Sequence, residues 1–257
     1  MARKAAPARD ANSLNPNAEE EQMEHSPTSS GRRLAMAASC GAIAAVAALA
    51  LAGLSGNGAG QASAHPGQMA PHATAKVSRA ELRFHDAMRK LWEDHIVWTR
   101  LAIVSFAEGN PDLQPTVERL LRNQGDIGDA IKPFYGREAG NALTALLEEH
   151  INGAVDLLVA ADSGDADAFD QAKAAWYENG REVADFLHRA NRRNWGRREM
   201  RSMMRMHLDQ TLAEAAHRLA GDYAADIRDY ERIHRHILEM ADELSDGIIA
   251  QFPGRFR

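Results

Sequence analysis

Cysteine is nearly absent: the 257 residues contain one, Cys40, inside an apolar run. No disulfide can form within the rest of the chain, and thiolate zinc sites and cysteine nucleophiles are excluded there. A cysteine-free domain also tolerates an oxidising compartment. Aromatic residues are scarce at 6%, too few for a stacking platform along a single nucleic-acid strand. Positive charge is not in excess either. Lys and Arg number 30 against 36 Asp and Glu, a formal net charge of −6, so no nucleic-acid partner is expected.

Catalytic signatures are missing as well. There is no Gly-x-x-x-x-Gly-Lys-Ser/Thr loop for a nucleotide phosphate and no Gly-x-Ser-x-Gly elbow for a hydrolase serine. Asp165-Ala166-Asp167 has the look of a sugar-nucleotide metal motif, but it occupies a polar helix turn with no parallel sheet behind it. No stretch alternates apolar and polar residues as a half-buried strand would. The sequence therefore assigns no enzymatic activity.

What is present begins with a polar tail, residues 1–30, rich in Pro, Asn, Ser and Glu. It has too little apolar surface to fold and reads as disordered. Residues 31–64 read as a signal peptide or a transmembrane anchor. Arg32-Arg33 precede an Ala-, Val- and Leu-rich run over 34–54, and Ala62-Ser63-Ala64 has the small-x-small form of a cleavage site. The run is long enough to span a membrane, yet its Ala and Gly content makes it weakly apolar, so cleavage and anchoring both stay open. Either way, basic residues before the run send the remainder outward. The expected location is a bacterial cell envelope, with the membrane as partner through residues 34–54. Residues 65–77, rich in Gly, Ala, Pro and His, form a tether, and residues 78–253 form the folded part.

That part reads as all-α, an antiparallel bundle of about five to six helices. Ser78-Arg79-Ala80-Glu81 is a capping box, and a long helix follows to about residue 107. A short helix is expected near 116–124, then an irregular stretch over 125–136 with Pro133 blocking continuation. Further helices are expected near 137–161, 166–190, 197–220 and 223–249. Apolar residues recur every three to four positions in each long segment, giving each one buried face.

Four of these faces carry a histidine near their middle: His95, His150, His207 and His234, with Asn179 at the matching place on a fifth. Mid-helix positions of antiparallel neighbours meet at one level, so the four imidazoles are expected to converge. Imidazole is a common neutral ligand for copper, zinc and iron, and bundle interiors build metal sites from facing helices. Glu231, one turn before His234, would join them. Glu93, Asp94, Glu149 and Glu214 are further carboxylates able to complete or orient a shell. Glu231-x-x-His234 and Glu214-x-x-His217 both match the Glu-x-x-His unit of di-iron bundles. His217 also falls near a helix end, where a cation suits the dipole, as does His188. His236 lies off the apolar face and reads as exposed.

Met200, Met203, Met204 and Met206 precede His207 within eight residues, a soft thioether set suited to Cu(I), and His65 would begin the chain after cleavage at Ala64. Ordinary core packing by methionine is the competing account. Arg193, Arg197, Arg201 and Arg205 recur every fourth residue as one basic ridge, open to anionic lipid, an acidic partner or solvent.

The strings LWEDHIVWTR (91–100), KPFYG (132–136), EEHINGAVDLL (148–158), WYENG (176–180), HLDQT (207–211) and GIIAQFP (247–253) together resemble a group of bacterial helical proteins. The resemblance covers most of the chain after the tether. It implies a helical bundle and carries no activity. The functional expectation is an extracytoplasmic, membrane-targeted bundle that binds a transition metal (copper, iron or zinc) or a small ligand at a histidine-lined interior. The alternative is a membrane-tethered structural or interaction protein with a polar core layer.

Overall fold

A computed structural model describes residues 77–257. The polar tail, the signal or anchor segment, the tether and His65 lie outside the described residues. Among the described residues every regular element is helical: α1 (Arg79–Glu108), α2 (Leu113–Ser163), α3 (Ala166–Ala190), α4 (Arg197–Leu219), α5 (Tyr223–Gln251) and a closing 3₁₀ turn (Pro253–Arg255). None of these helices is long and apolar enough to cross a membrane.

Local chemistry sets the ends. Ser78 Oγ accepts from the Glu81 amide at 3.1 Å while the Glu81 carboxylate accepts from the Ser78 amide, so the expected capping box forms and α1 starts there. Gly109, at φ 65°, stops it in the left-handed conformation. Asp165 and Asp222 cap α3 and α5 by accepting from the amides three residues on.

Helix α2 differs from the sequence expectation. Residues 125–135 are helical, and only Gly136 leaves helical geometry, at φ 87° and ψ 166°. The element is a hairpin of two arms, 113–135 and 137–163. Thr116, Leu120, Ile127 and Ile131 form one buried stripe along the first arm, and that burial holds it helical through Gly125, Gly128 and Pro133. Burying each such Leu or Ile is worth roughly 1.5–3 kcal/mol, more than the ~1 kcal/mol a helical glycine costs. The arms touch backbone to backbone at Gly128 and Gly140, where a side chain on either would collide with the other's carbonyl.

Each helix packs on its neighbours in sequence, α5 closes against α1, and α4 reaches α1 across the middle. Ile96, Ala184, Ile233, Ile237, Ala241 and Ile248 are fully shielded at the centre. The core extends beyond the expected limit at Pro253. Phe256 is 5% exposed, its ring lies 5.1 Å from that of Phe84 and 5.6 Å from that of Phe134, and its carbonyl accepts from Ser78 Oγ at 2.6 Å. One end of the bundle thus gathers the start of α1, the Gly136 turn, residues 191–196 and the C-terminal turn. The other end gathers the turns at 109–112, 164–165 and 220–222.

Candidate functional site

Three of the four expected histidines meet. His95 of α1, His150 of the second α2 arm and His207 of α4 are 2%, 4% and 3% exposed. The His207 ring centre lies 5.7 Å from that of His95 and 5.9 Å from that of His150. The fourth neighbour is His236, with its ring centre 6.5 Å from that of His207.

Polar neighbours orient the rings. Asn179 of α3 donates its amide to the Leu146 carbonyl at 3.1 Å, which turns its oxygen toward His150 Nδ1, also at 3.1 Å. His150 therefore carries its proton on Nδ1 and keeps a lone pair on Nε2. Trp176 stacks on His150 at 5.3 Å and donates its indole N–H to the His150 carbonyl. Gln124 Nε2 donates to His95 Nδ1 at 3.3 Å and to the Leu120 carbonyl at 2.8 Å. His236 donates from Nε2 to the Met203 carbonyl at 3.1 Å. Among the described residues neither His207 Nδ1 nor Gln124 Oε1 has a hydrogen-bond partner.

The rings are held neutral. Burial pushes His95 down to about 3, with the His150 imidazole adding to the effect and the Gln124 contact opposing it. Burial also pushes His150 down to about 4 against the favourable Asn179 contact. His207 lies well below its ordinary value through burial and then through its histidine neighbours. Neutral imidazoles in a dry interior are the protonation state a metal ion needs.

Beside this layer is an apolar cavity of about 60 Å³. Thr99, Ala154 and Thr211, each four residues beyond a layer histidine, line it together with Trp176, Ala102 and Ala215. The two threonine hydroxyls donate to the His95 and His207 carbonyls, so the walls offer water little to bond.

The expected carboxylates go elsewhere. Glu214 is fully buried but pairs with Arg100 at 2.9 Å, and burial, partly offset by that guanidinium, raises its carboxyl to about 7. Asp226, also fully buried, takes both Arg100 guanidinium nitrogens, and Arg218 approaches it at 3.4 Å. His217 turns away from Glu214 to Asp229, 2.5 Å distant. Glu93 pairs with His234 at 3.1 Å, Asp94 with Lys90 at 2.5 Å, and Glu149 and Glu231 are exposed. The two Glu-x-x-His units therefore share no site. Among the described residues no group of three or more His, Cys, Asp or Glu side chains is arranged to hold a metal ion.

His234 is a correction: it lies half-buried toward the surface, and His236, read as exposed, is only 7% exposed. The cause is the phase of α5. Its buried positions are Asp226, Asp229, Ile233, His236 and Ile237, while Ile227 faces solvent. A face drawn through the apolar residues there is rotated, because the inward residues at the start of α5 are charged and paired. The methionines separate as well. Met200 and Met204 fill the core, Met203 lies at its edge and Met206 is exposed, so the four sulfurs do not face one point. The basic ridge is where it was expected, with Arg201 bidentate on Asp185 and Arg205 on Asp209.

No protein family, curated protein or solved structure matches this chain.

Proposed function

We propose that the bundle binds a transition metal ion at His95, His150 and His207, with His236 as the nearest fourth ligand and the adjoining cavity admitting a small apolar ligand. The observation that carries this reading is that the buried, neutral His207 ring, whose Nδ1 has no partner among the described residues, lies beside both the His95 and the His150 rings. Metal–nitrogen bonds of about 2.0–2.1 Å put ring centres of tetrahedral or trigonal histidine ligands about 5.2–5.5 Å apart. The separations of 5.7 and 5.9 Å need a closure of a few tenths of an ångström and a turn of the rings, and His95, whose Nδ1 accepts from Gln124, must release that contact to offer a lone pair. Asn179 already presents His150 in the tautomer that leaves Nε2 free, the outer-shell contact that metal-bound histidines generally make.

An all-imidazole shell brings no negative charge, and the nearest buried acids are committed to Arg100. Imidazole suits copper, zinc and iron alike, and the lack of compensating charge is the one feature that favours monovalent copper. Such an ion would supply Lewis-acid chemistry beside the cavity. The protein supplies ring orientation and exclusion of water.

The same proposal puts the bundle outside the cytoplasm, exported or anchored through residues 34–54. Arg32-Arg33 and the Ala62-Ser63-Ala64 motif support it. A second reading, a membrane-tethered interaction protein whose histidines only fix helix register, draws support from the partners that His95, His150 and His236 already have.

Elemental analysis after loading the untagged full chain with copper, zinc or iron separates the two. One retained ion per chain, lost in His95→Leu and His207→Leu, is expected. No retained metal, together with no shift in melting temperature on metal addition, would leave the register reading.

A further inference from the structure

Formal charge is segregated along the bundle axis. At the end where the chain enters α1, residues 77–83, 129–142, 186–201 and 247–257 hold 12 Lys and Arg against 4 Asp and Glu. At the opposite end, residues 102–118, 156–173 and 212–228 hold 3 against 11. The net charge of −6 conceals two poles of opposite sign. The basic pole is exposed: Arg192, Arg193, Arg197 and Arg198 face solvent around the turn between α3 and α4. A groove of about 660 Å³ beside it is lined by Arg181, Arg201 and Arg205, each paired with an acid (Glu178, Asp185 and Asp209), so the excess charge of this end lies in the turn itself.

We propose that this basic end is a docking face for anionic phospholipid headgroups, holding the bundle upright with its acidic pole pointing away from the bilayer. The inference rests on the membrane-targeted reading above. Position argues for lipid over an acidic protein: α1 begins 25 residues after the apolar run 34–54, and it begins at the basic end. A bilayer engaged by that run is reached over the shortest length of tether from the side where the arginines are. Arginine-rich surfaces next to a membrane segment gain attraction from anionic lipid that salt screens within about 10 Å at 0.1 M. The acidic pole is repelled by the same surface, so both poles favour one orientation.

The test uses the full chain in lipid nanodiscs of phosphatidylcholine alone or with phosphatidylglycerol, read by amide hydrogen exchange. The amides of 191–196 and 254–257 should exchange about tenfold more slowly on the anionic discs at low salt, with the turns at 109–112 and 164–165 unchanged. High salt should abolish the difference, as should the combined R192Q/R193Q/R197Q/R198Q variant. If that variant fails to fold by circular dichroism, the salt titration of the unaltered chain decides. Equal exchange on both discs overturns the proposal. So does equal protection by soluble polyglutamate, which would indicate an acidic protein partner. A chain that leaves neutral discs yet is protected at the same amides by anionic vesicles would sink the anchor reading and keep the docking face.

Discussion

His207 stands 5.7 Å from His95, ring centre to ring centre, with its Nδ1 bonded to nothing among the described residues. An unsatisfied buried polar atom costs about 1–3 kcal/mol, so His207→Leu, of similar volume, should raise the stability of the metal-free protein by about that amount. Urea denaturation reads the change. The same variant should lose metal retention, so stability and binding would move in opposite directions. A fall in stability would show that contacts among the rings outweigh the orphaned nitrogen.

The histidine layer also sets a pH dependence. All three pKa values are lowered by folding, to about 3 for His95, about 4 for His150 and well below normal for His207. The unfolded chain therefore binds more protons than the native state once pH falls below ~6.5. Their contribution is complete above that pH and is lost on acidification, by about 1.4 kcal/mol per pH unit for each ring that stays neutral. Glu214 acts in the opposite sense. Its carboxyl, raised to about 7, binds a proton in the native state that the unfolded chain lacks, so its contribution is present at low pH and lost as pH rises through 7. Three rings against one carboxyl give a net loss between pH 6.5 and 4.5. Urea midpoints should drop steeply across that interval, and a flat profile would mean the rings protonate without unfolding.

Much of this was legible beforehand because the long helices carry clean three- and four-residue apolar spacing, and three of the layer histidines sit on those faces. Two features were not. Residues 125–135 contain Gly125, Gly128 and Pro133, all locally unfavourable to helix, and what holds them helical is burial of the stripe that Leu120, Ile127 and Ile131 form, which local propensity does not weigh. On α5 the inward face bears Asp226 and Asp229, so a rule that places apolar residues inside turns the helix the wrong way. Arg100, a hundred and more residues earlier, and Arg218 at the end of α4 are what explain Asp226. His236 was hidden for the second reason.

The Arg100 cluster separates its two carboxylates by substitution. Asp226→Ala removes the group that takes both guanidinium nitrogens, leaves Arg100 short of negative charge in the interior, and should cost about 3–5 kcal/mol. Glu214→Gln keeps an oxygen for Arg100 and replaces a carboxyl raised to about 7. Its cost at neutral pH should stay within about 1 kcal/mol, the worth of an ordinary hydrogen bond. Equal losses in the two variants, measured by urea titration, would mean that Glu214 is fully ionised in the native protein.

Three glycines of α2 answer to different physics, and alanine at each should show it. Gly125 is helical with open space where a Cβ would stand, so Gly125→Ala should stabilise by about 0.5–1 kcal/mol through backbone entropy alone. Gly136 also has open space, but its φ of 87° lies in a region that alanine rarely occupies. Gly136→Ala should lose about 1–3 kcal/mol as strain. At Gly128 the backbone is ordinary and the space is missing: a Cβ would come 2.6 Å from the Gly140 carbonyl and 2.0 Å from Thr144 Oγ1. Relief there requires the arms to part, so Gly128→Ala should cost about 1–3 kcal/mol through overpacking. Adding Thr144→Ala removes the nearest hydroxyl and should recover part of the loss, whereas it should recover nothing in Gly136→Ala. Melting temperatures of the five proteins, read against the unaltered chain, decide. Recovery in both backgrounds would mean that Thr144 acts apart from the hairpin contact, and no loss in Gly128→Ala would mean that the close approach of Gly128 to Gly140 does not set the spacing of the hairpin.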